Sequence, residues 1–169
     1  MRTLIAGLGN IFEGDDGFGV TVAHRLAATH WPDGVELREY GIRGVHLAYQ
    51  LLDGYDLVVI VDAVSRGGEP GNLYVIEHAA ETASPAPDVA APMLDAHDLG
   101  PDAVLALVPQ LGGDLGRVVI VGCEPATVAP QMALSPVVAQ SVDRAMNLVT
   151  ALVRDAHANV AVEGSNRRR

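Results

Sequence analysis

The sequence predicts a single α/β domain in three layers, with a mostly parallel, twisted sheet of about five strands and helices on both faces. Strand-like segments alternate with segments of helical periodicity along the 169 residues, a pattern typical of parallel sheets covered by helices. Residues 55–62 are almost entirely aliphatic without alternation, as expected for a strand buried on both faces. Hydrophobic residues make up 49% of the chain and aromatic residues only 4%, so the core is expected to be aliphatic.

The first half of the chain predicts three strands and two helices, each bounded by glycine, proline or a polar turn. These elements are a strand over residues 2–8, a helix from near Asp16 to the turn at 31–34, a strand over 35–40, a short helix through Leu47 and Leu51, and a central strand over 55–62. The first strand ends in a glycine-rich loop.

The second half predicts two strands and two helices. They are an edge strand over 72–77, a helix through Ala103 and Leu107, a strand over 117–123, and one long helix that begins at Ser135-Pro136. Residues 79–95 are rich in Ala and Pro and predict a long loop, which in a compact domain is usually functional or disordered. The helical pattern ends at His157, so the predicted domain covers residues 1–156 and residues 157–169 form a disordered tail.

Charge and composition exclude several classes of function. The formal net charge is −10, and no Lys is present. An acidic surface repels phosphate backbones, so nucleic acid is not expected as a partner. The single cysteine, Cys123, excludes an intrachain disulfide. The start of the chain lacks signal-peptide features and no apolar run reaches ~20 residues. We therefore expect a cytoplasmic protein that does not enter the membrane, with a monomer favoured.

Three polar clusters fall where a parallel sheet places its functional sites, at the carboxyl ends of strands. The first is the loop from Gly9 to Gly17, after the first strand. The second is Asp62, at the end of the central strand. The third is Asp95-Ala96-His97-Asp98, at the far end of the Pro-rich loop.

The loop after the first strand carries two adjacent carboxylates, Asp15 and Asp16. One carboxylate would suffice to cap the following helix and complement its dipole. The second indicates that a cation is held there, so Asp16 is a candidate ligand and Asp15 the candidate cap. The same loop opens a G-x-G-x-x-G pattern, but Phe12 replaces its third glycine and the carboxylates crowd the phosphate position. Nucleotide binding is therefore disfavoured.

Asp62 and His97 are the other candidate ligands. A carboxylate at the mouth of a central strand is costly unless it is paired. A metal would provide the partner, and so would Arg43 or Arg66; Asp62 could also simply begin a turn. A lone His more often packs in the core or lies on the surface, but His97 is flanked by Asp95 and Asp98, which could fix its tautomer.

Asp16, Asp62 and His97 together form a set of ligands that is intermediate between hard and soft. Two carboxylates and one imidazole suit Zn²⁺, Ni²⁺, Mn²⁺ or Co²⁺, and three protein ligands leave coordination positions open, as in catalytic sites. The sequence contains no H-E-x-x-H or G-x-S-x-G motif and no Cys–His pair that indicates a nucleophile. Ser135 is interpreted as a helix cap. Catalysis by a metal ion bound to these three side chains is therefore the simplest hypothesis.

These residues resemble a known family, the [NiFe]-hydrogenase maturation endopeptidases. The resemblance begins with the segment 7–20 and continues through the motifs Gly41-Ile42-Arg43-Gly44, Val61-Asp62-Ala63, His97-Asp98-Leu99, Gly122-Cys123-Glu124-Pro125 and Leu134-Ser135-Pro136. It covers roughly residues 1–155 in matching order. The metal-binding acid after the first strand is often Glu in this family, and Asp16 is shorter by one methylene.

The resemblance implies an endopeptidase that removes the C-terminal extension of a nickel-loaded [NiFe]-hydrogenase large-subunit precursor. It also implies that Asp16, Asp62 and His97 bind the metal, a divalent ion that is nickel delivered with the substrate. The alternative is a function of a different class, that of a non-catalytic, nickel-recognising maturation chaperone that docks on the same precursor. That module would need the same three side chains, so the sequence cannot separate the two functions.

Overall fold

The computed structural model of the chain describes residues 1–78 and 100–166, with side chains described as far as residue 160. The strands are β1 (Thr3–Leu8), β2 (Val35–Gly41), β3 (Leu57–Ala63), β4 (Leu73–His78) and β5 (Arg117–Cys123). The helices are α1 (Phe18–Leu26), α2 (Gly44–Leu51), α3 (Pro101–Gln110), α4 (Pro136–Ala139) and α5 (Val142–Asn166), and a 3-10 helix over Gly14–Gly17 precedes α1.

The strands form one sheet in the order β2-β1-β3-β5-β4. β1, β2, β3 and β5 pair in parallel, and β4 pairs antiparallel with β5 at one edge. The predicted architecture is therefore confirmed, including the edge position of the strand after residue 72. The fully buried central strand β3 explains the unbroken aliphatic run, because both of its faces lie against helices.

Two aliphatic cores cover the two faces of the sheet. One contains Leu47 and Leu51 of α2 with Val104 and Leu105 of α3, and the other contains Phe18 of α1 together with apolar residues of α4 and α5. This arrangement gives the three layers predicted from the alternation of strands and helices.

The predicted long helix from Ser135 is two helices, because the chain turns at residues 140–141 between α4 and α5. The turn has a specific partner in the loop before β4. The hydroxyl of Ser141 donates to the carbonyl of Gly71 at 2.7 Å, and the guanidinium of Arg144 donates to the same carbonyl at 2.8 Å. The apolar periodicity continues across this turn, which is why the sequence did not reveal it.

The C-terminal helix is longer than the sequence pattern predicted. Regular structure was expected to end at His157, but α5 continues to Asn166. His157 Nε2 lies 2.9 Å from the buried hydroxyl of Thr3, so this part of the helix contacts the beginning of β1. Residues 167–169 lie outside the described residues, and the domain boundary at residue 156 stays a prediction.

Two glycines allow α1 to pack directly on the carboxyl ends of β1 and β3. A Cβ atom on Gly19 would lie 2.0 Å from the carbonyl oxygen of Val61 and 2.5 Å from that of Leu8. A Cβ atom on Gly7 would lie 2.5 Å from the carbonyl oxygen of Gly19. Only the absence of side chains permits this contact. It places the 3-10 helix, with Asp15 and Asp16, at the edge of the sheet where β3 ends.

Candidate functional site

Asp62 is a buried carboxylate at the carboxyl end of the central strand. It is the penultimate residue of β3, with 7% of its surface exposed. Among the described residues its carboxylate accepts one hydrogen bond, from the amide of Ala63 at 2.9 Å. Burial, together with the smaller effect of the neighbouring charge of Asp16, raises the pKa of Asp62 to about 7 against the opposing hydrogen bond from Ala63. Among residues 1–78 and 100–166, the carboxylate of Asp62 thus has no positively charged partner.

Asp16 reaches the same edge of the sheet from the 3-10 helix. Its side chain is half-buried, and one carboxylate oxygen accepts the amide of Asn10 at 2.6 Å. The loop that presents it is tightly wound, since the side chain of Asn10 accepts the amide of Phe12 at 3.0 Å and Gly9 has a φ of +114°. The charge of Asp16 contributes to the raised pKa of Asp62, and the binding of a common metal by the two carboxylates stays a prediction.

Neither of the two arginines considered as partners for Asp62 forms an ion pair with it. Arg43 Nε donates to the carbonyl of Tyr40 at 3.4 Å, and the guanidinium of Arg66 lies over the ring of Tyr74 at 5.9 Å from its centroid. Within the part of the chain that the structure describes, Asp62 forms no salt bridge. A cation bound between Asp62 and Asp16 would satisfy both groups, and their oxygen donors suit a divalent ion.

Asp15 is not the helix cap that the sequence predicted. It is completely buried, and its carboxylate accepts the amides of Ala126, Thr127 and Ser135 together with the hydroxyl of Ser135, at 2.6–3.0 Å. Burial alone would raise the pKa of Asp15, but these four hydrogen bonds more than offset it and lower the pKa below the ordinary value. Asp15 therefore fastens the loop before α4 to the loop after β1.

Ser135 occupies the N-cap position of α4, as predicted, but its hydroxyl is used differently. No hydrogen bond joins the side chain to the first turn of α4, because the hydroxyl donates to Asp15 at 2.9 Å. The backbone extends this contact between the loops, since Glu13 forms a parallel bridge with Gln131 and the amide of Gly14 donates to the carbonyl of Gln131 at 2.8 Å.

Glu124 has a structural role that the sequence reasoning did not assign. It directly follows β5 and is buried, and its carboxylate accepts the amide of Arg66 at 2.8 Å and the hydroxyl of Tyr74 at 2.7 Å. These hydrogen bonds lower its pKa. Glu124 therefore fixes the turn that follows Asp62. The available signal was a carboxylate directly after an aliphatic strand, the same signal that identified Asp62.

The third predicted ligand, His97, lies outside the described residues, as do Asp95 and Asp98. Its approach to the two carboxylates therefore stays a prediction. Within residues 1–78 and 100–166, no group of three His, Cys, Asp or Glu side chains converges as a metal site. The described part of the candidate site thus provides two candidate oxygen ligands, and a three-ligand site would require a further residue.

Two possible nucleophiles are unsuited to attack a peptide bond. Burial raises the pKa of the Cys123 thiol to about 11, so it is protonated at neutral pH and is not nucleophilic. The hydroxyl of Ser135 already donates a hydrogen bond to Asp15.

The amide of Asn10, which a nucleotide phosphate would need at this loop, already donates a hydrogen bond to Asp16. This contact disfavours nucleotide binding at the loop.

Comparison with known proteins assigns the chain to a family. The model of a family described as hydrogenase maturation protease matches residues 20–152. This protein belongs to the hydrogenase maturation protease family. A hydrogenase expression/formation protein of Rhodobacter capsulatus is 31% identical over 147 residues, which are 86% of this chain and 68% of that relative.

The similarity extends to the length and the fold of other maturation proteases. The hydrogenase 2 maturation protease of Escherichia coli is 26% identical over 157 residues, covering 92% of this chain and 93% of the relative. The solved structure of the hydrogenase maturating endopeptidase HybD from E. coli superposes with a TM-score of 0.76 at 26% identity, covering 92% and 94% of the two chains. In this family member, none of the helices in the described residues is long and apolar enough to cross a bilayer.

Proposed function

We propose that this maturation protease family member is the endopeptidase that removes the C-terminal extension of a nickel-loaded [NiFe]-hydrogenase large-subunit precursor. The observation that carries the proposal is Asp62, a buried carboxylate beside Asp16 without a cationic partner in the described residues. Its environment favours the protonated form until a cation arrives. A site of this kind is suited to recognising a metal that another molecule brings.

Asp16, Asp62 and His97 would bind the nickel of the precursor, which is part of the substrate. Asp62 must lose its proton to coordinate the ion, so binding is expected to strengthen as the pH rises through neutrality. Bound there, the nickel would polarise the scissile carbonyl or activate a water molecule for attack. We also propose that the protein acts in the cytoplasm as a monomer.

The decisive experiment mixes the purified protein with nickel-loaded and with nickel-free precursor and follows the mass of the precursor. Endopeptidase activity shortens only the loaded form, by the mass of one C-terminal fragment. The alternative, a maturation chaperone that recognises nickel without cleavage, binds the loaded precursor and leaves its mass unchanged. Cleavage of both forms at equal rates would contradict the proposed recognition of nickel.

A further inference from the structure

A groove beside the candidate site has no role in the contacts described so far. It has a volume of about 450 Å³, within the ~300–1,000 Å³ typical of ligand sites. One wall is the outer face of α1, where Val20, Thr21 and His24 follow one another at helical spacing. The opposite wall is Met132 and Leu134, from the loop that Asp15 fastens.

The groove adjoins the 3-10 helix that carries Asp16. Gly14 and Gly17, which belong to the same 3-10 helix as Asp16, line its near end together with Ile11. From Gly17 to Arg25 the helical rise gives a length of ~12 Å, enough for about four residues of extended chain. A peptide chain held beside Asp16 would therefore lie next to the end of the groove that Gly14 and Gly17 line.

The walls of the groove are apolar along most of its length, and the charges at the far end are already paired. Met132 is 76% exposed, the most exposed of the large apolar side chains in the described residues. At the far end, His24 pairs with Glu39 at 2.6 Å and Arg25 pairs with Asp143 at 2.6 Å. The formal net charge of the chain is −10. This environment accepts apolar side chains and disfavours an additional acidic one.

We propose that this groove binds the segment of the hydrogenase precursor next to the scissile bond, in extended form, with apolar side chains between α1 and Met132. The inference rests on the proposed function. The precursor is the expected occupant because Gly14 and Gly17, which line the groove, belong to the same 3-10 helix as Asp16, where the metal-bearing end of the precursor would be held. Met132 then determines specificity through contact with the substrate and takes no part in the chemistry.

The kinetic test compares two exposed apolar residues of the same loop. Met132→Glu places a charge in the groove, and Val128→Glu places one at a residue that is 53% exposed and does not line the groove. With nickel-loaded precursor, we expect Met132→Glu to raise KM by roughly tenfold or more with little change in kcat. Met132→Leu should restore the KM of the unmodified protein, and Val128→Glu should leave it unchanged. Thermal unfolding checks that all three variants fold.

Photo-crosslinking tests the location of the segment directly. A photoreactive benzoylphenylalanine at position 132 should crosslink to precursor residues adjacent to the cleaved bond, and the same group at position 128 should not. Crosslinks to a distant part of the precursor or to a second copy of this chain would overturn the assignment, as would an unchanged KM for Met132→Glu. If the unmodified protein does not shorten loaded precursor at all, the proposed function fails as well.

Discussion

The carboxylate of Asp15 binds both the backbone amide and the hydroxyl of Ser135, at 2.6 and 2.9 Å, although the two residues are 120 positions apart. Through this contact, the loop that carries Asp16 and the loop that carries Met132 form one unit. The neighbouring carboxylates of Asp15 and Asp16 therefore differ in role. Asp15 joins two loops of the fold, and Asp16 lies near the carboxyl end of β3, where Asp62 is located.

Asp15→Ala is expected to lower the free energy of unfolding by about 2–4 kcal/mol, because three backbone amides and a hydroxyl would lose their buried acceptor. The low pKa of Asp15 makes its contribution fully present above pH ~4, the unfolded value, and lost as the pH falls through the lower folded pKa. Urea unfolding at pH 7 and at pH 3 measures both effects. Asp143→Ala, which removes an exposed ion pair, is the control and should cost less than about 1 kcal/mol. Equal losses for the two variants would show that the four hydrogen bonds contribute nothing.

Asp62→Asn is expected to stabilise the metal-free protein while abolishing processing. In the folded state the pKa of Asp62 is about 7, against 3.8 for a free carboxyl group. Because the folded state holds the proton more tightly than the unfolded state, the unmodified protein loses stability as the pH rises from ~4 to 7, and the Asn variant does not. Above pH 7 the variant should exceed the unmodified protein by about 2–4 kcal/mol. Urea unfolding with a chelator at pH 5 and 8 measures the difference, and Asp102→Asn, on the surface of α3, should show no such trend.

His97→Ala is expected to abolish processing of nickel-loaded precursor with the fold intact. Loss of a residue that only orients a metal ligand costs about 10–100-fold, so loss of a ligand should reduce the rate by more than about 100-fold. Mass spectrometry of the precursor gives the rate, and circular dichroism checks the fold. His30→Ala, at an exposed position, is the matched control. A normal rate for His97→Ala would remove His97 from the site.

Gly19→Ala is expected to destabilise the protein by about 2–3 kcal/mol or more, because the new methyl group would collide with the carbonyl oxygens of Leu8 and Val61. The same displacement should shift Asp16 and reduce processing. Gly100→Ala is the control, since no atom of the described residues lies within 4 Å of its Cβ position. Thermal unfolding and processing rates are measured on the same preparations. A Gly19→Ala protein as stable as Gly100→Ala would contradict the tight packing of α1 on the sheet.

The sequence predicted the sheet, its edge strand and both carboxylates because these features depend on local patterns. The aliphatic run of β3 predicts a strand that is buried on both faces, and a carboxylate at the end of such a strand indicates a polar site. Local patterns carry no information about partners distant in sequence. For this reason Asp15 was expected to cap its own helix, although its partners are Ala126, Thr127 and Ser135.

The turn between α4 and α5 was missed for the same reason. Apolar periodicity continues through residues 135–152, and the interruption depends on contacts of Ser141 and Arg144 with Gly71. The role of Glu124 likewise required knowledge of which loop lies opposite it. The His97 prediction rests on flanking residues and family resemblance alone, and its position relative to Asp62 stays to be tested.

The hydrogen bonds of Asp15 also constrain the order of events during synthesis. Its carboxylate is buried by residues 126–135, so it has no stable environment until that part of the chain has left the ribosome. The strands β1 and β3 can pair earlier, but the loop bearing Asp16 acquires its final shape only with the last third of the polypeptide. A shortened translation product ending before residue 126 would therefore contain both candidate acidic ligands and still be unable to hold Asp16 in place.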